Sequence, residues 1–202
     1  MLEFHQPMFC KRALFFCLLS SFFLLLTGCG KNTTATGMVS TQSGCAALHT
    51  EFMEVDWARG YSSLKELKQI TDPGVQGHFT AIAGTSSEGQ GLFFTDFTFT
   101  ITRVLWDPQH QIQNKTGSIT IHQTGGCTQD TFYKVSDDPL FRIGEAAILF
   151  LHQYSPGHYA VDGGPSGRFV VRKGIVQPIN GEGVKLPAGT TEQQFYTMLQ
   201  NA

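Results

Sequence analysis

Leu92-Phe93-Phe94-Thr95-Asp96-Phe97-Thr98-Phe99-Thr100-Ile101-Thr102-Arg103-Val104-Leu105-Trp106 is the stretch that decides the fold. Phe97, Phe99 and Ile101 alternate with Asp96, Thr98, Thr100 and Thr102, the period-two pattern of a strand with one buried face. At about 3.3 Å per residue the run would measure about 50 Å if straight. A strand that long must bend, and the alternation fails near Arg103, where Val104-Leu105-Trp106 follows. A bulge is therefore expected there. A long, curved strand suits a small closed barrel.

Working outward, further strands are predicted on both sides. His78 to Thr85 alternates Phe79, Ala81 and Ala83, and Gly117 to Gln123 turns Ile119 and Ile121 inward. Ala146 to His152 is apolar on both faces and should be central. His158 to Val161 follows the turn Ser155-Pro156-Gly157, and 168–172 pairs with 175–178 across Lys173-Gly174. Ser63-Leu64-Lys65-Glu66 reads as a capping box opening a helix lined by Leu64, Leu67 and Ile70, closed by Asp72-Pro73-Gly74. A last helix is signalled by Thr191 and Gln194, with Phe195, Met198 and Leu199 on one side. Leu48 to Trp57 reads equally as helix or extended chain. The fold class is mainly β: a small OB-like β-barrel with flanking short helices.

The other end of the chain carries a different signal. Lys11-Arg12 precedes an apolar run, Ala13 to Leu26, which ends in Leu26-Thr27-Gly28-Cys29. The order of a basic region, a short apolar region and small residues is that of a secretory signal peptide. As a helix the run would cover about 20 Å of a hydrocarbon core about 30 Å thick, too short for an uncleaved span. Leu26-Thr27-Gly28-Cys29 resembles the bacterial lipobox. That resemblance implies a diacylglycerol on Cys29, which becomes the first residue of the mature protein. It also implies a lipid-anchored protein of the cell membrane facing the extracytoplasmic side. Gly30 is not the aspartate that would signal inner-membrane retention, and an outer membrane is the site if the cell has one.

Three segments follow: residues 1–28 as lipoprotein signal peptide, 29–44 as lipidated cysteine and tether, and 45–202 as the folded domain. The stretch 30–44 is mostly Gly, Ser, Thr, Asn and Gln, with only Met38 and Val39 as sizeable apolar groups, which suits a flexible leash. Cleavage leaves 12 basic and 15 acidic residues, a balance without the basic footprint of a nucleic-acid binder. Of five cysteines, Cys45 and Cys127 remain once the signal and the acylated Cys29 are set aside. In an exported protein a Cys45–Cys127 disulfide is the expected pairing, the alternative being two free thiols that never meet.

From Phe99 onward the blocks Phe99-x-Ile101-x-x-Val104-Leu105, Ile119-x-Ile121 with Gly125-Gly126, Asp138-Pro139-Leu140-Phe141-x-x-Gly144-Glu145, Ile148 to Leu151 and Gly163-Gly164-Pro165-x-Gly167-Arg168-Phe169 occur in order. The series resembles an uncharacterised family of exported bacterial domains, often lipoproteins. The resemblance implies a barrel-like fold and an envelope location. It carries over no catalytic residues.

Candidate sites were weighed by chemistry. Gly163, Gly164, Ser166, Gly167 and Arg168 form a possible ligand loop, in which backbone N–H groups and an arginine would cradle an anion. The competing reading is a barrel-closing turn. Pro139 to Glu145 is expected to deliver Leu140 and Phe141 as a plug on a barrel end. No zincin or Cys-x-x-Cys motif is present, so neither a metal nor a cofactor is expected. Gly164-Pro165-Ser166-Gly167 lacks the spacing of a nucleophile elbow. Inhibitors built on OB-like barrels present a free amino-terminal cysteine to a metal; here Cys29 would be acylated and Cys45 is internal.

The function read from this is a non-catalytic binding module for an envelope protein or cell-wall partner. The alternative is an envelope hydrolase assembled from His122, His152, His158 and Asp137 or Asp138, which requires those groups to converge.

Overall fold

The computed structural model describes Cys45 and residues 47–88, 91–113, 115–179, 181 and 183–202. The signal peptide, lipobox and tether expected over 1–44 lie outside the described residues. The described chain is mainly β, with strands β1 (His49–Met53), β2 (Gly74–Glu88), β3 (Leu92–Trp106), β4 (Ser118–Thr124), β5 (Gly126–Cys127), β6 (Thr131–Val135), β7 (Ala146–Ser155), β8 (His158–Val161), β9 (Arg168–Arg172) and β10 (Ile175–Pro178). Two helices, α1 (Leu64–Ile70) and α2 (Glu192–Gln200), flank the strands. No described helix is long and apolar enough to cross a membrane.

The larger sheet runs β10-β9-β7-β2-β3-β4-β8, and β8 pairs in turn with β7. Only β4 and β8 pair in parallel; the other contacts are antiparallel. The predicted irregularity near Arg103 is present, and it is one of four. Between β2 and β3 the register skips Thr102 and Leu105 on one strand and Thr80 and Ala83 on the other. Each extra residue sharpens the local bend and twist, which lets two fifteen-residue strands curl rather than project.

Alternation then sorts the apolar side chains into two cores. Phe97, Phe99, Ile101 and Ile121 enclose one core with Val75, Phe79, Leu149 and Leu151, while Ile119 is only partly buried. Phe141 fills the same space, stacked on Phe79 at 4.1 Å between ring centres and edge-on to Phe97 at 5.3 Å. β7 is apolar on both faces because it serves both cores. Ala147, Leu149 and Leu151 face the first, and Ile148 and Phe150 face a second with Phe169, Leu64, Leu67, Phe195 and Leu199.

Both helix starts form as their sequences predict. The Ser63 hydroxyl accepts from Glu66 N–H, although the Glu66 carboxylate reaches back to Ser62 rather than to the cap itself. At α2, Thr191 and Gln194 complete a reciprocal capping box.

Several expectations are corrected. Ile70 does not join the core and is 47 % exposed at the end of the short helix. β2 starts four residues before the predicted His78 and continues past the predicted Thr85 to Glu88. A second sheet, β1-β6-β5, was not foreseen. β1 resolves the ambiguous segment as strand and pairs in parallel with Thr131–Val135. The disulfide Cys45–Cys127, with Cα atoms 5.9 Å apart and 82 residues of separation, ties the start of the domain to β5.

Candidate functional site

The register of the curled sheet sets the site. Asp96 on β3 lies opposite His122 on β4; His122 lies opposite Ala160 on β8, and Ala160 opposite His152 on β7. Residues paired across neighbouring strands share a face. Asp96, His122, Ala160 and His152 therefore form one row on the face opposite Phe97 and Ile121. Alanine is the smallest of the four, so the row dips between the two histidines. A cleft of about 260 Å³ opens there, lined by Trp57, Phe94, His122, His152, Asp162 and Gly164, among others.

His122 is the best-defined group in it. Its Nδ1 lies 2.6 Å from Asp96 Oδ1, and Phe94 stacks on the ring at 4.4 Å with the planes 23° apart. Phe94 and Asp96 are two apart on one strand, so β3 supplies both the platform and the carboxylate. A carboxylate at Nδ1 holds the proton on that nitrogen and leaves Nε2 to accept, or, in the imidazolium, to donate. Tyr154, half exposed, stands beside the same ring at 5.6 Å and leads on to His158 at 6.0 Å. The result is a mostly apolar, aromatic-walled cleft with one oriented imidazole.

The roof comes from the segment between β1 and α1. Trp57 donates its indole Nε1–H to Asp137 Oδ2 at 2.7 Å and lies on Gly164. Gly163 and Gly164 both adopt positive φ, 66° and 53°. A Cβ on Gly164 would enter the Trp57 indole, and one on Gly163 would enter the Tyr61 ring. Glycine is required at both positions because this chain packs its own aromatic side chains on them.

The same packing occupies the stretch read as a possible ligand loop. Gly164–Gly167 is a 3-10 turn whose Ser166 hydroxyl donates to Gly163 O at 2.7 Å. A Cβ on Gly167 would strike the Asp162 carbonyl. Arg168 is 1 % exposed and points into the fold. Its NH1 donates to Asp138 Oδ1 at 3.0 Å and to Pro139 O at 2.6 Å, its NH2 to Glu145 Oε1 at 2.8 Å, and its guanidinium covers Phe141 at 4.2 Å. These bonds engage the arginine within the fold.

The alternative hydrolase set converges only in part. His122, His152 and Asp138 all border the cleft. His122 and His152 sit two strands apart, about 10 Å backbone to backbone. Asp137 and Asp138 point opposite ways, one to Trp57 and one to Arg168 and Gln123. Burial pushes the Asp138 carboxyl above the usual range, against the pull of Arg168 and the Gln123 amide. His158 is not among the residues lining the cleft and lies beside Tyr154. The described bonds give His122 a carboxylate and no hydroxyl or thiol nucleophile. Among the described residues no three of His, Cys, Asp and Glu are placed to hold a metal ion.

Sequence reasoning missed Asp96 and Trp57. Asp96 was visible on the polar face of its strand, but its partner depends on the β3–β4 register, which turn spelling does not fix. Trp57 lies in a segment without periodicity. Searches for related proteins found no matching family model, curated protein or solved structure.

Proposed function

We propose that this protein is a lipid-anchored, extracytoplasmic binding module whose OB-like barrel presents the cleft at His122 to a ligand. The barrel reading is supported by the pairing circuit β7–β2–β3–β4–β8–β7, closed by the single parallel pair β4–β8. The anchor reading rests on the lipobox at Cys29; two acyl chains hold a protein stably at a membrane, where one does so marginally.

The observation that carries the binding role is the row Asp96–His122–Ala160–His152, with Phe94 beneath His122 and Trp57 above the gap. It offers a flat apolar wall, an oriented hydrogen-bonding group and a dip of small-ligand size, which are the ingredients of a recognition site. A protein segment or cell-wall component with a planar or ring-shaped group fits that wall.

The test is reversible crosslinking in intact cells, followed by identification of what is captured. The wild type should retain a specific partner, and Phe94→Ala or His122→Ala should lose it while remaining folded. Metabolic labelling with a fatty-acid probe should mark wild type and not Cys29→Ala. Turnover by the purified protein with no stable partner would defeat the binding reading.

A further inference from the structure

A second cavity, which shares no lining residue with the cleft, lies among α1, α2 and the end of β3. The extra residues Thr102 and Leu105 break the alternation of β3 there. Val104 still packs on the first core, while Leu105 packs on the second, beside the helices. Arg103, Leu105 and Trp106 border the cavity together with Lys68 of α1 and Tyr196 and Leu199 of α2, around a space of about 310 Å³.

Its walls are donors and rings. The Arg103 guanidinium stands 4.2 Å from the Tyr196 ring centre, and the Lys68 ammonium 5.0 Å from that of Trp106, both within cation–π range. Lys68 also donates to Leu199 O at 3.1 Å, a carbonyl of the last turn of α2 that has no partner within the helix. The Trp106 indole N–H is buried and has no acceptor among the described residues. The Tyr196 hydroxyl is engaged by Gln76 and Glu192, so the tyrosine offers the cavity its ring. What the cavity lacks is a negative group. Neither cation forms an ion pair among the described residues. Glu192 is outside the lining, with its carboxylate held by Gln76 Nε2 at 2.6 Å and by Tyr196. Capping α2 accounts for Lys68 alone. Two cations facing one cavity repel, and an anion between them replaces that repulsion with charge-assisted hydrogen bonds.

We propose that this cavity binds a small organic acid, with its carboxylate between Lys68 and Arg103 and its apolar body against Trp106, Tyr196 and Leu199. A planar carboxylate matches the N–H edge that a guanidinium keeps free when its face lies on a ring, and the ammonium has donors beyond the one used on Leu199. The volume is at the lower end of small-molecule sites, about 300–1,000 Å³, so the body is a single ring or a short chain. Arg103 is exposed and Lys68 half-buried, which leaves the charged end of the cavity open to solvent.

The experiment uses the two tryptophans of the chain, whose indole N–H groups give two resonances that Trp106→Phe assigns. Phenylacetate in the millimolar range, titrated at low salt into the nitrogen-15-labelled full chain, should move the Trp106 signal to saturation. The Trp57 signal, from the cleft at His122, should stay in place and also reports that each variant remains folded. The uncharged counterpart 2-phenylethanol should leave both signals unmoved at the same concentrations. Arg103→Gln and Lys68→Gln should each weaken phenylacetate by about tenfold or more, the worth of one hydrogen bond to a charged group. A Trp106 signal that ignores phenylacetate, one that moves equally with 2-phenylethanol, or unchanged affinity in both glutamine variants overturns the proposal. So does movement confined to the Trp57 signal, which would place the acid in the other cleft.

Discussion

Replacing Arg168 with leucine tests how the start of β9 is held against the Asp138–Glu145 segment. The guanidinium is buried and meets Asp138, Glu145 and the Pro139 carbonyl, with Phe141 against its face. Leucine restores apolar volume but leaves two carboxylates in a site built around a cation. Breaking such a pair from one side costs about 3–5 kcal/mol. In a domain of ordinary stability, about 5–15 kcal/mol in all, that is a large fraction. The midpoint should fall by about 6–20 °C. The penalty comes from charge left behind, so adding Asp138→Asn to Arg168→Leu should cost less than the two single changes summed, with a coupling above about 1 kcal/mol. The pH dependence has a definite sign. Without Arg168, the already raised pKa of Asp138 rises further, so the folded state binds a proton that the unfolded state does not. Stability of the variant should therefore recover as pH falls through the folded pKa toward the unfolded value, and be lowest above it. Urea unfolding followed by tryptophan fluorescence across this pH range supplies every quantity. A loss under about 1 kcal/mol, additive singles, or a deficit indifferent to pH would refute the buried-ion account.

Three other predictions concern the fold. Phe99→Ala, at a fully buried ring in contact with Phe79, should cost about 3–5 kcal/mol by chemical denaturation. Removing the Cys45–Cys127 bridge with a double serine variant should cost about 4–5 kcal/mol on the chain-entropy account, given 82 residues of separation, and a non-reducing mass map should show the linkage in wild type. Gly164→Ala places a Cβ in the Trp57 ring at a positive φ, so it should cost about 1–2 kcal/mol or more and shift Trp57 emission toward that of exposed indole; an unshifted spectrum at full stability would show that the roof does not rest on this glycine.

The sequence was most legible where a single strand or helix speaks for itself. Alternation in 92–106 placed Phe97, Phe99 and Ile101 in the core, and the double-faced apolar run at 146–152 placed β7 at the centre of the sheet. Thr191 and Gln194 marked the start of α2 through local hydrogen bonds alone. What depends on distant partners was harder to read. Thr131–Val135 is half-buried along its length except for the buried Val135, so the second sheet left no periodic trace. The Asp138 block and the Gly163–Arg168 block each stood out, yet their shared purpose appears only when Arg168 meets Asp138 and Glu145 across more than twenty residues. The same limit hid the His122 partner. Composition singled out three histidines and two aspartates, and register then chose Asp96.

The claim that the cleft is a recognition surface is tested most directly by a photocrosslinking amino acid placed at Phe94, on the wall of the cleft, in the full chain in living cells. The same probe at Ile143, an exposed position outside the cleft lining, is the control. The account predicts one discrete adduct from position 94 and none from position 143, with the adduct lost when His122→Ala is added. No adduct at 94, or the same adducts from both positions, would contradict it.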